Sequence, residues 1–247
     1  MHTLRLLPFL SLLSLATAGA ATVNFGSATD LSQFTLNGGA STGFTYGATA
    51  GTGGGGGLVS TSTDYDGTSA IFSTGLANTI GQSWSVSMDY KAASIFGGPD
   101  LRLGFTTSAS GTFDGVDDLW VETYGDVSMK GYSLGGPNST FSFLSMTEGD
   151  WYRMEMTLTR TDADSYDVVT RVLSLGSDGT GTPTQIGTGS STFDSTAFGG
   201  ASELYAGFFA YAGLPGTDNF GGNVVPEPSS LALAGLAGLL AFRRRRN

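Results

Sequence analysis

Tyr152 to Leu173 reads YRMEMTLTRTDADSYDVVTRVL, and its spacing decides the fold. Tyr152, Met154, Met156 and Leu158 take alternate positions, with Arg153, Glu155 and Thr157 between them. Successive side chains of a β-strand point to opposite faces, so this stretch predicts a strand with one apolar and one polar side. Asp162-Ala163-Asp164-Ser165 follows, a cluster of short polar residues suited to bonding their own backbone in a turn. Tyr166 to Leu173 then returns. The two runs predict an antiparallel hairpin.

The same pattern spreads outward from the hairpin. Ser83 to Lys91 (SWSVSMDYK) puts Trp84, Val86, Met88 and Tyr90 on one face and Ser83, Ser85, Ser87, Asp89 and Lys91 on the other. Leu101, Leu103 and Phe105 alternate in the next run. Leu119, Val121 and Thr123 alternate with Asp118, Trp120, Glu122 and Tyr124. Leu204 to Tyr211 is apolar on both sides and predicts a central strand. No long window between the chain's two ends has helical periodicity. Many half-buried antiparallel strands with polar outer faces predict an all-β, two-sheet sandwich. Its predicted core includes Trp84, Val86, Met88, Leu103, Phe105, Met154, Met156, Leu158, Val168 and Phe208.

Taken together, an early Phe25, a glycine-rich stretch, SWSVSMDYK, GDWYRMEMTL and a terminal AGFFAYAGLPGTDNF resemble the concanavalin A-like, or laminin-G-like, jelly roll. The resemblance covers about residues 22–222 and implies an antiparallel jelly-roll sandwich. The glycine run Gly51 to Gly57 (GTGGGGG) is read as a surface connection between early strands. It lacks the Lys-Ser/Thr ending of a phosphate loop.

Both ends of the chain carry address-like segments. Met1 to Ala21 has one basic residue, Arg5, then an apolar core from Leu6 to Leu15 and the small residues Ala16-Thr17-Ala18-Gly19-Ala20-Ala21. That is the pattern of a secretory signal peptide cut after Ala18 or Ala20. The other end reads VVPEPSSLALAGLAGLLAFRRRRN from Val224 to Asn247. Two prolines keep Pro226-Glu227-Pro228 extended. The apolar run that follows can enter a bilayer. Arg243, Arg244, Arg245 and Arg246 stop it on the cytoplasmic side. Fourteen residues from Ser229 to Phe242 are shorter than the roughly 20 of a comfortable span.

This three-part tail resembles the PEP-CTERM sorting signal of exported bacterial proteins. The resemblance implies recognition by an exosortase, a membrane-embedded cysteine protease-transpeptidase. It also implies a Gram-negative-type host that makes extracellular polysaccharide. The expected organisation is a signal peptide at 1–20, a β-sandwich ectodomain at 21–224, and a sorting signal at 225–247 with one short transmembrane helix.

Composition excludes several chemistries. The chain has no cysteine, and its one histidine is His2, inside the expected signal peptide. Disulfides, thiolate catalysis, a Ser-His-Asp triad and histidine-bound zinc or iron are therefore not expected of the mature domain. Between the two ends lie six cations (Lys91, Arg102, Lys130, Arg153, Arg160 and Arg171) and all the acids but Glu227, a net charge of about −14. Such a domain repels nucleic acid, which is not an expected partner.

Two clusters are candidates for binding. Asp118, Trp120, Glu122 and Tyr124 lie at strand spacing on one face, where a ring can cover a sugar's CH face and acids can accept its hydroxyls. Residues four apart on a strand are roughly 13 Å apart, wider than the carboxyl pairs of glycosidases. The acidic turn Asp114, Asp117 and Asp118 is the candidate for calcium, which takes six to eight oxygens. The jelly-roll resemblance implies the same ion, often held in a loop. No other cofactor is expected.

The resulting expectation is an exported envelope or extracellular-matrix protein, sorted by an exosortase, structural and not an enzyme. It would be held transiently in the inner membrane by its C-terminal helix, reach the cell surface or extracellular matrix, and contact extracellular polysaccharide there. The alternatives are a carbohydrate-binding module on the same sandwich and, less favoured, a polysaccharide-active enzyme.

Overall fold

In the computed structural model the Tyr152–Leu173 hairpin forms as read. Trp151–Arg160 (β11) pairs antiparallel with Ser165–Gly176 (β12), with Met156 opposite Thr170. The structure describes residues 21–38, 43–60, 67–92, 99–113, 118–124, 128–132, 146–210 and 215–225. The expected signal peptide, the sorting tail from Pro226 onward, Asp114 and Asp117 lie outside them.

Two antiparallel sheets are built around that hairpin. In the first, Ala21–Val23 (β1), Phe44–Gly47 (β3), Gly57–Ser60 (β4) and Ser83–Lys91 (β7) join β11, β12, Thr184–Asp194 (β13) and Thr217–Gly222 (β15). Its order is β13-β12-β11-β7-β15-β4-β3, with β1 also on β15. The second contains Phe34–Gly38 (β2), Thr68–Phe72 (β5), Leu76–Ala77 (β6), Pro99–Thr106 (β8), Asp118–Tyr124 (β9), Ser128–Tyr132 (β10) and Glu203–Ala210 (β14). Its order is β10-β9-β8-β14-β5-β2, with β6 also on β14. As the doubly apolar sequence of β14 requires, that strand lies in the interior of its sheet. Among the described residues the only α-helix is the five-residue Thr196–Gly200 (α1). None of their helices is long and apolar enough to cross a membrane.

The inward rows of the two sheets form one core. Val86, Met88, Leu103, Phe105, Met154, Leu158 and Phe208 are fully buried there, with Trp84, Met156 and Val168 nearly so. Phe34 and Phe208 each pack edge-on against neighbouring rings: Phe34 against Phe72, Phe208 and Phe220, and Phe208 also against Phe44. Such aromatic pairs add specific geometry to area burial. The core also takes in Val224 and Val225, past the end of β15. Residues 20–226 make one compact unit.

The glycine run is the surface connection its composition indicates, with Gly53, Gly54 and Gly55 exposed, and it is more closely held than glycine content alone implies. It links β3 to β4 and is tightly packed. The Gly51 N–H donates to the Gly55 carbonyl at 2.8 Å, and the Gly53 N–H donates to the Asp178 carbonyl at 2.6 Å. A Cβ on Gly51 would lie 1.9 Å from the Gly56 carbonyl oxygen and 2.8 Å from Asp218 Oδ2. Glycine is used here for close backbone approach, with little freedom left to the loop.

Candidate functional site

Strand β9 carries the aromatic-acidic row. Leu119, Val121 and Thr123 face the core. Asp118, Trp120 and Glu122 therefore point to the outer face of the second sheet, as the alternation predicts. Tyr124 ends the strand.

The two acids are not open to solvent. Asp118 and Glu122 are buried, at 4% and 2% exposure, while Trp120 is half-buried. Arg102 on β8 is the residue that closes the row. Its Nε donates to Glu122 Oε2 at 3.0 Å, and Trp120 Nε1 donates to the same oxygen at 3.1 Å. The guanidinium stacks 4.8 Å from the Trp120 ring centroid and 5.4 Å from that of Phe209. It also donates to the Phe113 carbonyl. Ile71, Phe113 and Phe209 form a small second core on this face, with Trp120 and Tyr205 packed against it. The sequence reading of this row omitted Arg102. Its signal was the cross-strand pairing of Arg102 with Glu122, which becomes visible only once β8 and β9 are in register.

A second polar cluster lies on the outer face of the first sheet and was missed altogether. Asp89 on β7 stands opposite Arg153 on β11. Arg153 grips it with two donors, Nε to Oδ1 at 2.6 Å and Nη2 to Oδ2 at 2.9 Å. Asn219 Nδ2 adds a third bond to Asp89 Oδ2 at 2.8 Å. Asp218 likewise accepts three bonds: from Thr52 N at 3.1 Å, Thr52 Oγ1 at 2.9 Å and Asn219 N at 2.7 Å. The register of β15 against β7 shifts between Asp218 and Gly221, and Asn219 adopts φ 52. A bulge with an asparagine in the left-handed region re-aims side chains in this way.

The electrostatics follow from burial. Desolvation, the largest effect, raises the Asp218 carboxyl above the usual carboxylate range. The donors from Thr52 and Asn219 oppose that rise, and nearby Asp89 adds to it. The hydrogen bond to Asp89 holds Arg153 in its charged form. Both carboxylates are engaged by internal donors, so the cluster fastens the glycine loop to β15 and β7.

Of the candidate calcium ligands, only Asp118 lies among the described residues, where it is buried on β9. Among those residues no three His, Cys, Asp or Glu side chains gather as a metal site. The Pro226-Glu227-Pro228 motif and the arginines Arg243 to Arg246 lie beyond the described residues.

Comparison with known proteins bears on both parts of the chain. Residues 224–246 match the PEP-CTERM protein-sorting motif. No curated protein matches the chain. Among solved structures it is similar to a protein of unknown function from Shewanella oneidensis MR-1, with TM-score 0.49, 16% identity, and coverage of 83% of this chain and 86% of that one. It is also similar to the marine PL-14 alginate lyase from Aplysia kurodai, with TM-score 0.47, 10% identity, and coverage of 84% and 99%. A lectin from Bauhinia forficata in complex with GalNAc gives TM-score 0.41, 10% identity, and coverage of 82% and 95%. Likeness at this level says nothing about activity. The motif at the tail marks a chain that is exported and held at a membrane before it is sorted. The chain is an all-β, two-sheet sandwich that ends in a PEP-CTERM protein-sorting motif.

Proposed function

We propose that this chain is an exported envelope or extracellular-matrix protein whose tail an exosortase recognises and removes at or near Pro226-Glu227-Pro228, and whose sandwich has a structural, non-catalytic role. The observation that carries this reading is the order of parts within the matched segment: Pro-Glu-Pro, then an apolar run, then four arginines. The expected signal peptide at 1–20 supports export, and the sandwich from residue 21 is the part delivered. The ectodomain's charge of about −14 with few cations suits a soluble exported domain. Asp118 and Glu122 sit four residues apart on an extended strand, roughly 13 Å by strand rise, and this counts against a glycosidase pair.

The deciding experiment is the mass of the mature protein from a host with an exosortase. Loss of the Arg243–Arg246 end supports the reading, and an intact arginine end on the released protein overturns it. Changing the four arginines to Asp should disturb topology first, because the stop signal is the positive charge.

One observation favours a carbohydrate-binding role as a second reading. Trp120 and Tyr205 keep part of their rings exposed on the outer face of the second sheet. In that role the ring of Trp120 would stack on a neutral or cationic glycan, while Glu122 serves Arg102. Ligands raise the melting temperature by mass action, so thermal scans with a glycan panel, with calcium and with chelator test this role. No shift in any scan, with unchanged matrix retention of Trp120→Ala, removes it.

A further inference from the structure

The chain leaves the sandwich through a short and closely held exit. Gly222 ends β15 at φ 107, and a Cβ there would sit 2.1 Å from the Ser85 carbonyl oxygen. Asn223 is tied to the start of β7 by three bonds. Its Oδ1 accepts from Ser85 N at 2.7 Å, its N–H donates to Ser85 Oγ at 3.1 Å, and its Nδ2 donates to the Ser83 carbonyl at 3.1 Å. Val224 and Val225 then enter the main core, at 1% and 6% exposure. The Val225 N–H donates back to the Gly222 carbonyl at 3.3 Å.

The matched sorting motif begins at residue 224. Its first two residues are therefore core residues of the sandwich, and Pro226 of the Pro-Glu-Pro motif is the next residue in the chain. No spacer separates the last core side chain from the processing motif. An enzyme that cuts a peptide takes it as an extended segment on both sides of the bond, in the manner of an added strand. For a bond within Pro226–Pro228, the residues that must enter the cleft first include Val224 and Val225. While the sandwich is closed they are not available.

We infer that docking of Gly222–Val225 gates removal of the tail. The inference rests on the sorting reading above and adds its regulation. The processing enzyme acts on the minor population in which the exit segment has come away from β7 and the core. Such local opening costs less than global unfolding, and the rate of processing follows the open fraction. Asn223 is then a positioning residue for a reaction in which it takes no chemical part.

The test uses the full chain in an exosortase-bearing host, following tail loss by pulse-chase and intact mass. Four chains are compared: wild type; Asn223→Ala; a spacer variant with a Gly-Ser stretch and a second Val-Val copy between Val225 and Pro226; and the spacer variant carrying Asn223→Ala. Asn223→Ala should speed tail loss roughly fivefold or more, as loss of hydrogen bonds of ordinary net strength implies. The spacer leaves the core intact and frees the motif. It should speed tail loss at least as much and should make Asn223→Ala silent. If the spacer variant loses its tail no faster than wild type, gating is overturned even should Asn223→Ala fail to fold. Tail retention in all four chains would overturn the sorting reading itself, and the gating with it.

Discussion

Glu122 shows how a residue's role changes when its neighbours are known. On β9 it belongs to a row suited to sugar hydroxyls, yet its carboxylate is held by Arg102 and Trp120 with 2% of the residue exposed. Removing one partner of a buried pair takes from the other its close counter-charge, and Arg102 would keep its bond to the Phe113 carbonyl. Glu122→Ala should therefore lower stability by about 3 kcal/mol, the lower end for such pairs because Arg102 keeps some solvent contact. Urea unfolding checks this, and a loss below about 1 kcal/mol, the range of an exposed pair, would contradict it. Asp218 makes a pH prediction. Burial raises its carboxyl above the ordinary value of 3.8. A raised carboxyl favours the folded state while protonated. That contribution is present below the ordinary value and is lost as pH climbs through the folded one. The melting temperature of wild type minus that of Asp218→Asn should fall as pH rises from below 3.8 toward neutrality. A difference that grows with pH would contradict the sign.

At the scale of elements, alternation was legible and register was not. The inward row of β11 could be read residue by residue, and Met156, at 1% exposure, sits between Val86 of β7 and Thr170 of β12. Met156→Ala should cost about 2–5 kcal/mol by chemical denaturation, as a buried methionine leaves a cavity. A cost under about 1 kcal/mol would place Met156 outside the core. Asp89 and Arg153 were both read correctly onto polar faces. That they pair became visible only when β7 and β11 were aligned, because strand spacing says nothing about which strand lies alongside. The glycine loop was placed correctly as a surface connection between β3 and β4, but its order was not legible for a related reason. Its composition suggests looseness, while its order comes from Asp178 and Asp218, each more than a hundred positions away. Gly51→Ala should destabilise by about 1–3 kcal/mol through overpacking, although alanine is the smallest change available. An unchanged melting temperature would show that the loop can give way.

For the whole molecule, two kinds of information lie in one chain. Periodicity specifies the sandwich, through apolar rows that can be buried only by stacking two sheets. The tail is specified by the order of its parts and is readable without any fold. What neither kind of reading reveals is how they join: Val224 and Val225, the first two residues of the matched sorting motif, belong to the core of the sandwich. A sandwich ending at residue 222 should therefore melt below one ending at 225, and equal melting temperatures would show that Val224 and Val225 contribute nothing. On the proposed function, this sandwich is exported and then released from its tail. Intact mass spectrometry of the protein recovered outside an exosortase-bearing host tests it most directly. One species is expected, beginning just after Ala18 or Ala20 and ending within Pro226-Glu227-Pro228. A recovered protein that still carries Arg243 to Arg246 would contradict it.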